Sequence, residues 1–391
     1  MTLKFDLLAT CTGCDARLGR VDTPHGSFET PAFMPVATAG AMKGLTPAQV
    51  RNTGAQVILN NAYHLFLRPG AERVAELGGV HRFMRWDGPI LTDSGGYQAF
   101  SMSAIVNRSE AGVEFRSFVD GSKRSMSPES SMEVQRLLGA DIIMAFDDCP
   151  ALDGAAGLAG RVREAHERTV RWLGRCVSAW DRRGPQSLFG IVQGGADLAL
   201  RQASVNAICE FDLPGYAIGG VAVGEGTELI RSVVAATAPM LPATRPRYLM
   251  GVGYETDLVH AVSCGVDMFD CVLPTRSGRN ALCFTRAGPI RLRNAVHTAD
   301  PGPIDPACDC EACAGGFSRA YLRHLFMAGE MLGPILASLH NLRHFQALLL
   351  DIRRAIREDA WLGLAARWPG LSLATEDSTA ADAALKERPE E

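Results

Sequence analysis

The chain has 391 residues, of which 47% are hydrophobic and 21% are charged, a balance typical of a folded globular protein. It contains no run of about 18 apolar residues, so we expect no membrane span and no membrane partner. The first residues lack a basic region followed by an apolar core, so we expect no secretory signal. Most of the eleven cysteines stand singly in apolar runs, which favours reduced thiols and a cytoplasmic protein over a disulfide framework.

Charge is distributed unevenly along the chain. Residues 375–391 contain six acids and two bases, so this tail accounts for the whole formal net charge of −4. It has little to bury, and we predict that residues 373–391 are disordered. A second stretch, 272–298, contains no acid, which makes it a candidate polyanion contact, although a solvated loop would have the same composition. Its five arginines are Arg276, Arg279, Arg286, Arg291 and Arg293.

Eight short apolar runs recur along the chain, with segments of helical pattern between most of them. Their continuous apolarity is typical of parallel strands that are covered on both faces. Eight strands that alternate with helices favour an α/β fold, a single (β/α)8 TIM barrel over residues 1–372, rather than a doubly wound sheet. The predicted strands begin at Pro31, Ala55, Pro89, Asp141, Leu188, Tyr216, Arg247 and Asp267.

The segment between the third and fourth predicted strands contains turn and helix-start patterns. Residues 119–122 read Val-Asp-Gly-Ser, a hairpin-type turn, which predicts a small antiparallel insertion in the barrel. Ser127 followed by Pro128 indicates the start of a helix, with serine as the N-cap and proline at the first helical position.

Polar residues and glycines stand where the predicted strands end. The carboxyl ends of all strands meet at one rim of a barrel, which is where the active sites of this fold lie. Any one of these residues could be a turn residue or a helix cap, but the whole set predicts an active-site rim. Its members are Asp93, Asp147, Gln193, Gly219, Gly220, Gly251 and Asp270.

Part of this set matches the hydrogen-bonding edge of guanine. Guanine presents two adjacent donors beside the acceptor O6; a carboxylate accepts from both donors, and an amide or backbone N–H donates to O6. Asp147, Gln193 and Gly220 supply these groups, and Tyr97 and Met250 could cover the two faces of the ring. The alternative is that Asp147 and the aspartate after it form a metal-binding or salt-bridged pair.

Asp93 and Asp270 suit chemistry at an anomeric carbon. Cleavage of a glycosidic bond with retention needs a nucleophilic carboxylate and a second group that handles the proton, and an N-glycosidic bond poses the same problem. The arginine-rich stretch begins directly after Asp270, which would place a bound RNA backbone beside a nucleophile.

Three thiols, those of Cys308, Cys310 and Cys313, lie within six residues, and His340 follows. Three cysteines and one histidine fill the tetrahedral shell of a zinc ion and leave no open position. The sequence therefore predicts one structural Zn²⁺ per chain, in a zinc-binding subdomain of about residues 295–345.

Two points about the predicted metal site stay open at this level. His324 and His344 are alternatives to His340 as the fourth ligand on spacing alone. Cys11 and Cys14 form a second CxxC pattern, which we interpret as incidental because no partner residues stand near it.

Segments along nearly the whole chain, from about Phe5 to about Arg367, resemble the bacterial tRNA-guanine transglycosylases of the queuine tRNA-ribosyltransferase family. The resemblance implies a homodimeric pentosyltransferase that exchanges the wobble guanine of the Asp, Asn, His and Tyr tRNAs for 7-aminomethyl-7-deazaguanine in queuosine biosynthesis. The matching segments are PILTDSGGYQ, FGIVQGG, GGVAVGE, RYLMGVG, DMFDCVLPTRSGRN and CDCEAC followed by LHNLRHF.

The resemblance also implies roles for individual residues: Asp270 is the nucleophile at ribose C1′ and Asp93 the general base. The implied base-binding residues are Asp93, Ser94, Gly95, Gly96, Tyr97, Asp147, Cys149, Gln193, Gly219, Gly220, Val221, Met250 and Gly251. The implied tRNA contacts are Gly251, Val252, Gly253, Tyr254, Glu255, Thr256, Asp257, Thr275, Arg276, Ser277, Gly278 and Arg279. The implied zinc ligands are Cys308, Cys310, Cys313 and His340.

The chain departs from the family pattern at several positions. Tyr97 stands where Phe is common, Val221 where Leu is usual, and Glu255-Thr256 where the family has Pro-Glu. Cys149 and Val223 match the bacterial members. Because the bulk of Val223 leaves no room for the cyclopentenediol of queuine, we expect 7-aminomethyl-7-deazaguanine as the incoming base.

Two functions from other classes remain as alternatives. A zinc-dependent hydrolase on the same barrel would need an open metal site at the strand ends. A non-catalytic RNA-binding subunit, like the partner chain of the eukaryotic enzyme, would not need both Asp93 and Asp270. We also see no C-terminal RNA-binding domain of the archaeal type, which favours recognition of the anticodon.

Overall fold

The structure is a computed structural model that describes residues 3–97, 105–152 and 157–373. Its centre is a closed barrel of eight parallel strands, which confirms the predicted fold. Each strand pairs with its neighbours in chain order, and the last pairs with the first, with Phe269 opposite Phe33. The barrel strands are β4 (Ala32–Ala37), β5 (Ile58–Asn60), β6 (Ile90–Thr92), β10 (Ile142–Met144), β11 (Ser187–Val192), β12 (Gly215–Ile218), β13 (Arg247–Leu249) and β14 (Met268–Cys271).

The barrel is filled by side chains that all eight strands contribute. Each strand coincides with one of the predicted apolar runs to within one residue at its start or lies inside it, and nearly all strand residues are buried. This is the environment that continuous apolarity requires. The inner cluster consists of Met34, Leu59, Leu91, Met144, Ile191, Ala217, Tyr248 and Met268, together with further residues.

The N-terminal end of the barrel is covered by a three-stranded antiparallel sheet that the sequence analysis did not predict. The sheet consists of β1 (Lys4–Thr10), β2 (Arg17–Thr23) and β3 (Gly26–Thr30). Val21 and Phe28 of this sheet belong to the inner cluster of the barrel. Arg17 pairs with Asp267, the residue just before β14, so the sheet lies at the end opposite the predicted active site.

The predicted antiparallel insertion is present between β6 and β10. It consists of β7 (Ile105–Ser109), β8 (Gly112–Arg116) and β9 (Lys123–Met126). Gly121 has a φ of +71° in the turn between the last two strands, a conformation that favours glycine. The following helix begins as predicted: Ser127 is its N-cap and Pro128 its first residue.

Helices surround the barrel and connect its strands. The longest, Leu332–Arg357, packs against the helix Leu273–Arg279 that follows β14, and a Cβ on Gly278 would lie 2.7 Å from the Ser338 nitrogen. The others are Pro47–Asn52, Ala62–Leu67, Ala71–Glu76, Gly79–Met84, Pro128–Leu138, Leu158–Ala179, Leu198–Cys209, Thr227–Thr237, Glu255–Ser263, Glu311–Ala314, Arg319–Ala328, Leu364–Arg367 and Gly370–Leu373, with short 3-10 turns at Ala238–Met240, Ala295–His297 and Trp361–Gly363.

Beyond the last barrel strand, β15 (Leu282–Cys283) and β16 (Ile290–Arg291) form a short antiparallel pair. The prediction of a disordered acidic tail concerns residues that, from 374 onward, lie outside the described part of the chain. Within the described ranges, no helix combines the length and the apolarity that crossing a membrane requires.

Candidate active site and metal centre

A cavity of about 820 Å³ lies at the carboxyl ends of the barrel strands. Its position agrees with the rule that this end of the barrel carries the active site. The predicted site residues that line it are Asp93, Ser94, Tyr97, Asp147, Cys149, Gln193, Gly219, Gly220, Val221, Met250, Gly251, Asp270, Thr275, Arg276 and Arg279. The structure therefore brings both predicted catalytic carboxylates into the same cavity as most of the predicted base-binding groups.

Asp93 is held at the end of β6 by two donors that follow the neighbouring strand β5 and by one donor from its own loop. The N–H of Ala62 donates to Asp93 Oδ1 at 2.8 Å, the N–H of Gly95 donates to the same oxygen at 3.2 Å, and the amide of Asn61 donates to Oδ2. Burial raises the pKa of Asp93 to about 6, and the nearby charge of Asp270 also acts in this direction. A carboxyl group with such a pKa can exchange a proton near neutral pH.

Asp270 lies in β14, and both of its hydrogen bonds fall on one oxygen. The hydroxyl of Tyr248 donates to Oδ1 at 2.6 Å, and the N–H of Gly251 donates to Oδ1 at 2.9 Å. Burial raises the pKa of Asp270, whereas these two donors act against the rise. Oδ2 has no donor among the described residues, so it is the oxygen available to an electrophile.

Asp147 and Gln193, at the ends of β10 and β11, form a hydrogen-bonded pair. Gln193 Nε2 donates to Asp147 Oδ2 at 2.7 Å. Burial, and next the charge of Asp148, raise the pKa of Asp147 to about 7. Donors on a bound base would stabilise the ionised form, so this carboxylate is suited to a ligand edge that carries N–H groups.

The salt-bridge alternative applies to Asp148 and not to Asp147. Asp148 pairs with Arg161, with Arg168 at 2.5 Å and with Arg108 at 3.7 Å, and its side chain is fully buried. Asp147 takes part in neither potential metal group of the described residues. The two neighbouring aspartates thus have different roles, which the sequence pattern could not separate.

Some predicted site residues do not line the cavity. Glu255 pairs with His344 at 2.8 Å, and Asp257 pairs with Arg231 at 2.9 Å, so both carboxylates face other helices. Gly95 supports Asp93 through its N–H group. The remaining predicted residues outside the lining are Gly96, Val252, Gly253, Tyr254, Thr256, Ser277 and Gly278.

Sequence reasoning missed several residues that the structure places in the site. Asn61 binds Asp93 and follows β5 directly, a polar residue at a strand end that the pattern could have shown. Tyr248 lies inside the apolar run of β13, and nothing in its sequence context indicates that its hydroxyl reaches Asp270. Lys43 and His64 also line the cavity.

The arginine-rich stretch divides into two groups. Arg276 and Arg279, in the helix after β14, line the cavity, and Arg276 Nε is buried without a hydrogen-bond partner. In contrast, Arg286 lies over the ring of Trp368, 4.9 Å from its centroid. Arg293 lies over the ring of Phe326 and donates to the carbonyl of that residue. Composition alone could not rank the five arginines, but only Arg276 and Arg279 line the cavity.

The predicted metal ligands meet in space, away from the residues that line the cavity. The ligand atoms of Cys308, Cys310, Cys313 and His340 all lie within 4.8 Å of one another, so this group could hold a metal ion. His340 Nε2 lies 2.7 Å from the Phe284 carbonyl, which leaves Nδ1 to face the thiols. Four protein donors fill a tetrahedral shell, so the group fits a structural metal.

The structure also decides between the three candidate histidines. His344 pairs with Glu255, and His324 stacks against Tyr321, so neither belongs to the group. Cys11 and Cys14 belong to no metal group of the described residues.

A second potential metal group, of His25, His81 and Asp141, lies at the opposite end of the barrel. The two imidazole rings are stacked with centroids 3.5 Å apart and planes at 17°, and both contact Asp141. Nearly parallel rings cannot both direct an in-plane lone pair at one ion. We interpret this group as a structural contact between the N-terminal sheet and the barrel.

The chain matches the family model described as Queuine tRNA-ribosyltransferase over residues 11–369. It belongs to this family. Among curated proteins named Queuine tRNA-ribosyltransferase, that of Cereibacter sphaeroides is 52% identical over 91% of the chain and 94% of its own length. That of Dinoroseobacter shibae is 50% identical over 94% and 97%, and that of Acetivibrio thermocellus is 50% identical over 92% and 95%.

As a queuine tRNA-ribosyltransferase, the protein is a pentosyltransferase that acts on tRNA and a guanine-type base. Membership confirms the resemblance inferred from the sequence and identifies the chain as a pentosyltransferase rather than a zinc-dependent hydrolase. Family membership agrees with the cavity, where the carboxylates of Asp93 and Asp270 lie together with that of Asp147, which accepts an N–H group.

Proposed function

We propose that this transferase exchanges the wobble guanine of tRNAs with a GUN anticodon, those for Asp, Asn, His and Tyr, for 7-aminomethyl-7-deazaguanine in queuosine biosynthesis. The observation that carries the proposal is the joint position of Asp93, Asp270 and the Asp147–Gln193 pair in one cavity. The first two supply retaining chemistry at C1′, and the pair matches the edge of guanine.

In the first half of the reaction, Oδ2 of Asp270 attacks C1′ of the wobble nucleotide. The C1′–N9 bond breaks, and its electron pair leaves with guanine. The departing base takes a proton, for which Asp93 is suited because its pKa is raised to about 6. The product is a covalent aspartyl-ribose ester between the enzyme and the tRNA.

In the second half, the incoming deazaguanine occupies the same place. Asp93 removes the proton from N9, and N9 attacks C1′ while the C1′–O bond to Asp270 breaks. Two displacements at one carbon restore the original configuration. Water must be kept out, because hydrolysis of the ester would leave a tRNA without a base.

The selection of an aminomethyl group is supported by the backbone after β12. Glu225 accepts hydrogen bonds from the N–H groups of Ala222 at 2.6 Å and Val223 at 2.9 Å. Because a trans peptide is planar, the Val221 carbonyl points away from Glu225, toward the cavity that Val221 lines. A carbonyl there accepts from an ammonium group, and the side chain of Val223, also in the lining, leaves little room for a larger substituent.

Binding of the anticodon loop is assigned to the residues after β13 and β14. Arg276 and Arg279 at the cavity edge supply positive charge for phosphates, with Thr275 beside them. The segment 251–257 contributes through its backbone and through Tyr254, since Glu255 and Asp257 face inward.

We assign zinc to the Cys308, Cys310, Cys313 and His340 group because three thiolates and one imidazole are ligands that zinc prefers in structural sites. When bound, the ion supplies a cross-link and no chemistry to the base exchange. It joins the segment after β14 to the helix Leu332–Arg357, which carries His340.

A homodimer is supported by exposed apolar side chains on and between two helices, Arg319–Ala328 and Leu332–Arg357, whose buried residues share an apolar cluster with Cys310 and Cys313. Tyr321, Met327, Met331 and Leu332 are exposed, Met331 to 79%. Burial of such a patch in a second copy would remove it from water. We place the enzyme in the cytoplasm, where tRNA is present, and where its eleven cysteines, all free, would stay reduced.

The test is exchange of labelled guanine into an unmodified anticodon stem-loop, followed by its displacement with 7-aminomethyl-7-deazaguanine. A covalent enzyme–RNA band on a denaturing gel is expected with the stem-loop alone. A protein that incorporates neither base, or that acts on stem-loops without the GUN sequence equally well, would contradict the proposal.

A further inference from the structure

We propose that Arg201 is a positioning residue that directs two backbone N–H groups at O6 of the bound base and stabilises the negative charge that develops on departing guanine. The proposal rests on the proposed function, because it concerns the base that the same cavity binds. Arg201 is not among the residues that line the cavity, so it acts through the loops that do.

Arg201 lies in the first turn of the helix Leu198–Cys209, with its side chain fully buried. It donates to four backbone carbonyls: Nε to Gly195 at 2.8 Å, Nη1 to Gly219 at 2.6 Å and to Val192 at 3.3 Å, and Nη2 to Gly220 at 3.0 Å. These carbonyls belong to the end of β11 and to the loops after β11 and β12. One guanidinium group thus joins the two loops that carry Gln193 and Gly220.

The charge of Arg201 is not neutralised by a contacting acid. In the described parts of the chain its hydrogen bonds go only to carbonyls. Burial lowers its pKa to about 10, and Glu225 acts to raise this pKa without an ion-pair contact, so the guanidinium stays protonated at neutral pH. Burial of a cation without a carboxylate partner costs free energy. The presence of Arg201 in this position therefore points to a role for its charge.

The orientation of two peptide groups follows from these bonds. The Gly219 and Gly220 carbonyls both point at Arg201, and in a planar trans peptide the N–H group points the opposite way. The N–H groups of Gly220 and Val221 are therefore directed away from Arg201, toward the cavity that both residues line. The Gly220 N–H indeed lies at the thiol of Cys149, another lining residue.

This arrangement has the features of an oxyanion site. When the C1′–N9 bond breaks, the electron pair left on guanine is delocalised over the ring and partly onto O6. Two N–H groups fixed before the reaction stabilise that charge without reorganisation, and a cation behind both peptides strengthens the effect in a buried site. The Gly220 backbone also has a φ of +62° and no room for a Cβ, which would lie 2.3 Å from Gln193 Oε1.

The test compares guanine with 2-aminopurine, which lacks O6 and the N1–H group but keeps the 2-amino group. Each variant is compared with the wild type for the same base, so the missing N1–H group affects both proteins alike. For Arg201→Met we expect the Kd of guanine to rise at least tenfold and that of 2-aminopurine to change less than twofold, measured by equilibrium dialysis on the full chain. If Arg201 had a purely structural role, its replacement would weaken the binding of both bases equally. That result, or an unchanged Kd of guanine, would overturn the proposal.

The matched control is Arg247→Met. Arg247 is also buried, also has a pKa lowered to about 10, and donates to the carbonyls of Leu241 and Gly265, but it lies at the opposite end of the barrel. We expect the Arg247→Met protein to be less stable than the wild type, while its Kd values for guanine and 2-aminopurine stay within twofold of those of the wild type.

If Arg201→Met does not fold, Arg201→Lys replaces it, because one ammonium group keeps the charge but cannot hold four carbonyls. We expect a smaller loss that still falls on guanine, and an unchanged guanine Kd would overturn the proposal. Failure of the proposed function is separate: it would show as a wild-type protein that binds neither base.

Discussion

The hydroxyl of Tyr248 donates a 2.6 Å hydrogen bond to Oδ1 of Asp270, the same oxygen that accepts the Gly251 N–H. The carboxylate is thereby held through one oxygen, and the other is left to react. In the proposed mechanism, the two donors also stabilise this carboxylate as the group that leaves C1′ in the second half of the reaction.

We expect Tyr248→Phe to lower kcat by about 10- to 100-fold with little change in KM for tRNA, because loss of a hydrogen bond to a charged group costs about 1.5–3 kcal/mol. Single-turnover formation of the covalent adduct measures it. Tyr216→Phe is the control, since that buried hydroxyl binds the Leu213 N–H away from the cavity. An unchanged adduct rate in Tyr248→Phe would show that the hydrogen bond has no role in the reaction.

Asp270→Asn and Asp93→Asn should block different steps. The first should give no covalent adduct, because the nucleophile is gone. The second should still reach the adduct, although more slowly because guanine leaves without a proton from Asp93, and should resolve it slowly because no base remains for the incoming N9–H. Denaturing gels with an anticodon stem-loop distinguish the two, and an adduct in full yield on Asp270→Asn would reverse the assigned roles.

The same mechanism predicts the separation of the two carboxyl groups in a complex with tRNA. Retaining enzymes place them about 5–5.5 Å apart, whereas inverting enzymes leave roughly 6.5–9.5 Å for a water molecule. A crystal structure of the complex measures this distance, and a value in the second range would contradict the retaining scheme.

Replacement of Arg276 or Arg279 by Gln should weaken binding of tRNA and reduce the slope of log Kd against log salt by about 1, because one fewer counterion is released. Arg286→Gln and Arg293→Gln are matched controls from the same stretch, because these side chains lie over Trp368 and Phe326. If all four variants had the same slope of log Kd against log salt, the proposal that Arg276 and Arg279 bind RNA at the cavity would be contradicted.

Asp147→Asn should stabilise the protein at pH 8 while it abolishes base exchange. The folded-state pKa of Asp147 is raised to about 7 from the usual value of 3.8. A group of this kind contributes stability below pH 4 that is lost as pH rises through about 7, because the folded state then holds an unfavourable buried charge. The gain from the neutral amide, on the order of 4 kcal/mol for a pKa raised from 3.8 to about 7, should therefore appear between pH 4 and 8.

Urea unfolding of Asp147→Asn and wild type at pH 4 and pH 8 measures this difference. Asp181→Asn, at a residue exposed outside the cavity, is the control. A stability difference that is the same at both pH values would argue against a raised pKa at Asp147.

Replacement of one proposed metal ligand should lower both the zinc content and the thermal stability of the protein. Cys310→Ser should bind less than one zinc ion per chain and unfold at a lower temperature, since a structural ion contributes directly to folding. Cys283→Ala is the control because this thiol is buried in the same apolar cluster but is not a ligand. Atomic emission and calorimetry measure both, and a Cys310→Ser protein that is metal-free, folded and fully active would disprove the structural role.

The sequence by itself determined the barrel and the insertion, and it predicted most of the residues that line the candidate site. A strand covered on both faces must be apolar throughout, so the eight runs were visible, and the turn at Gly121 and the cap at Ser127 are local patterns. Carboxyl ends of barrel strands converge, so Asp93, Asp147 and Asp270 could be grouped without coordinates.

Tertiary structure decided what depends on contacts between distant segments. Asp147 and Asp148 are adjacent in sequence, but only packing against three arginines shows that the second is a structural ion pair. Tyr248 and Arg201 look like ordinary strand and helix residues. Their roles come from acceptors far along the chain, 22 residues from the Tyr248 hydroxyl and 18 residues from the Arg201 guanidinium. The fourth metal ligand was open for the same reason: spacing allows several histidines, and only the fold brings Nδ1 of His340 to the thiols.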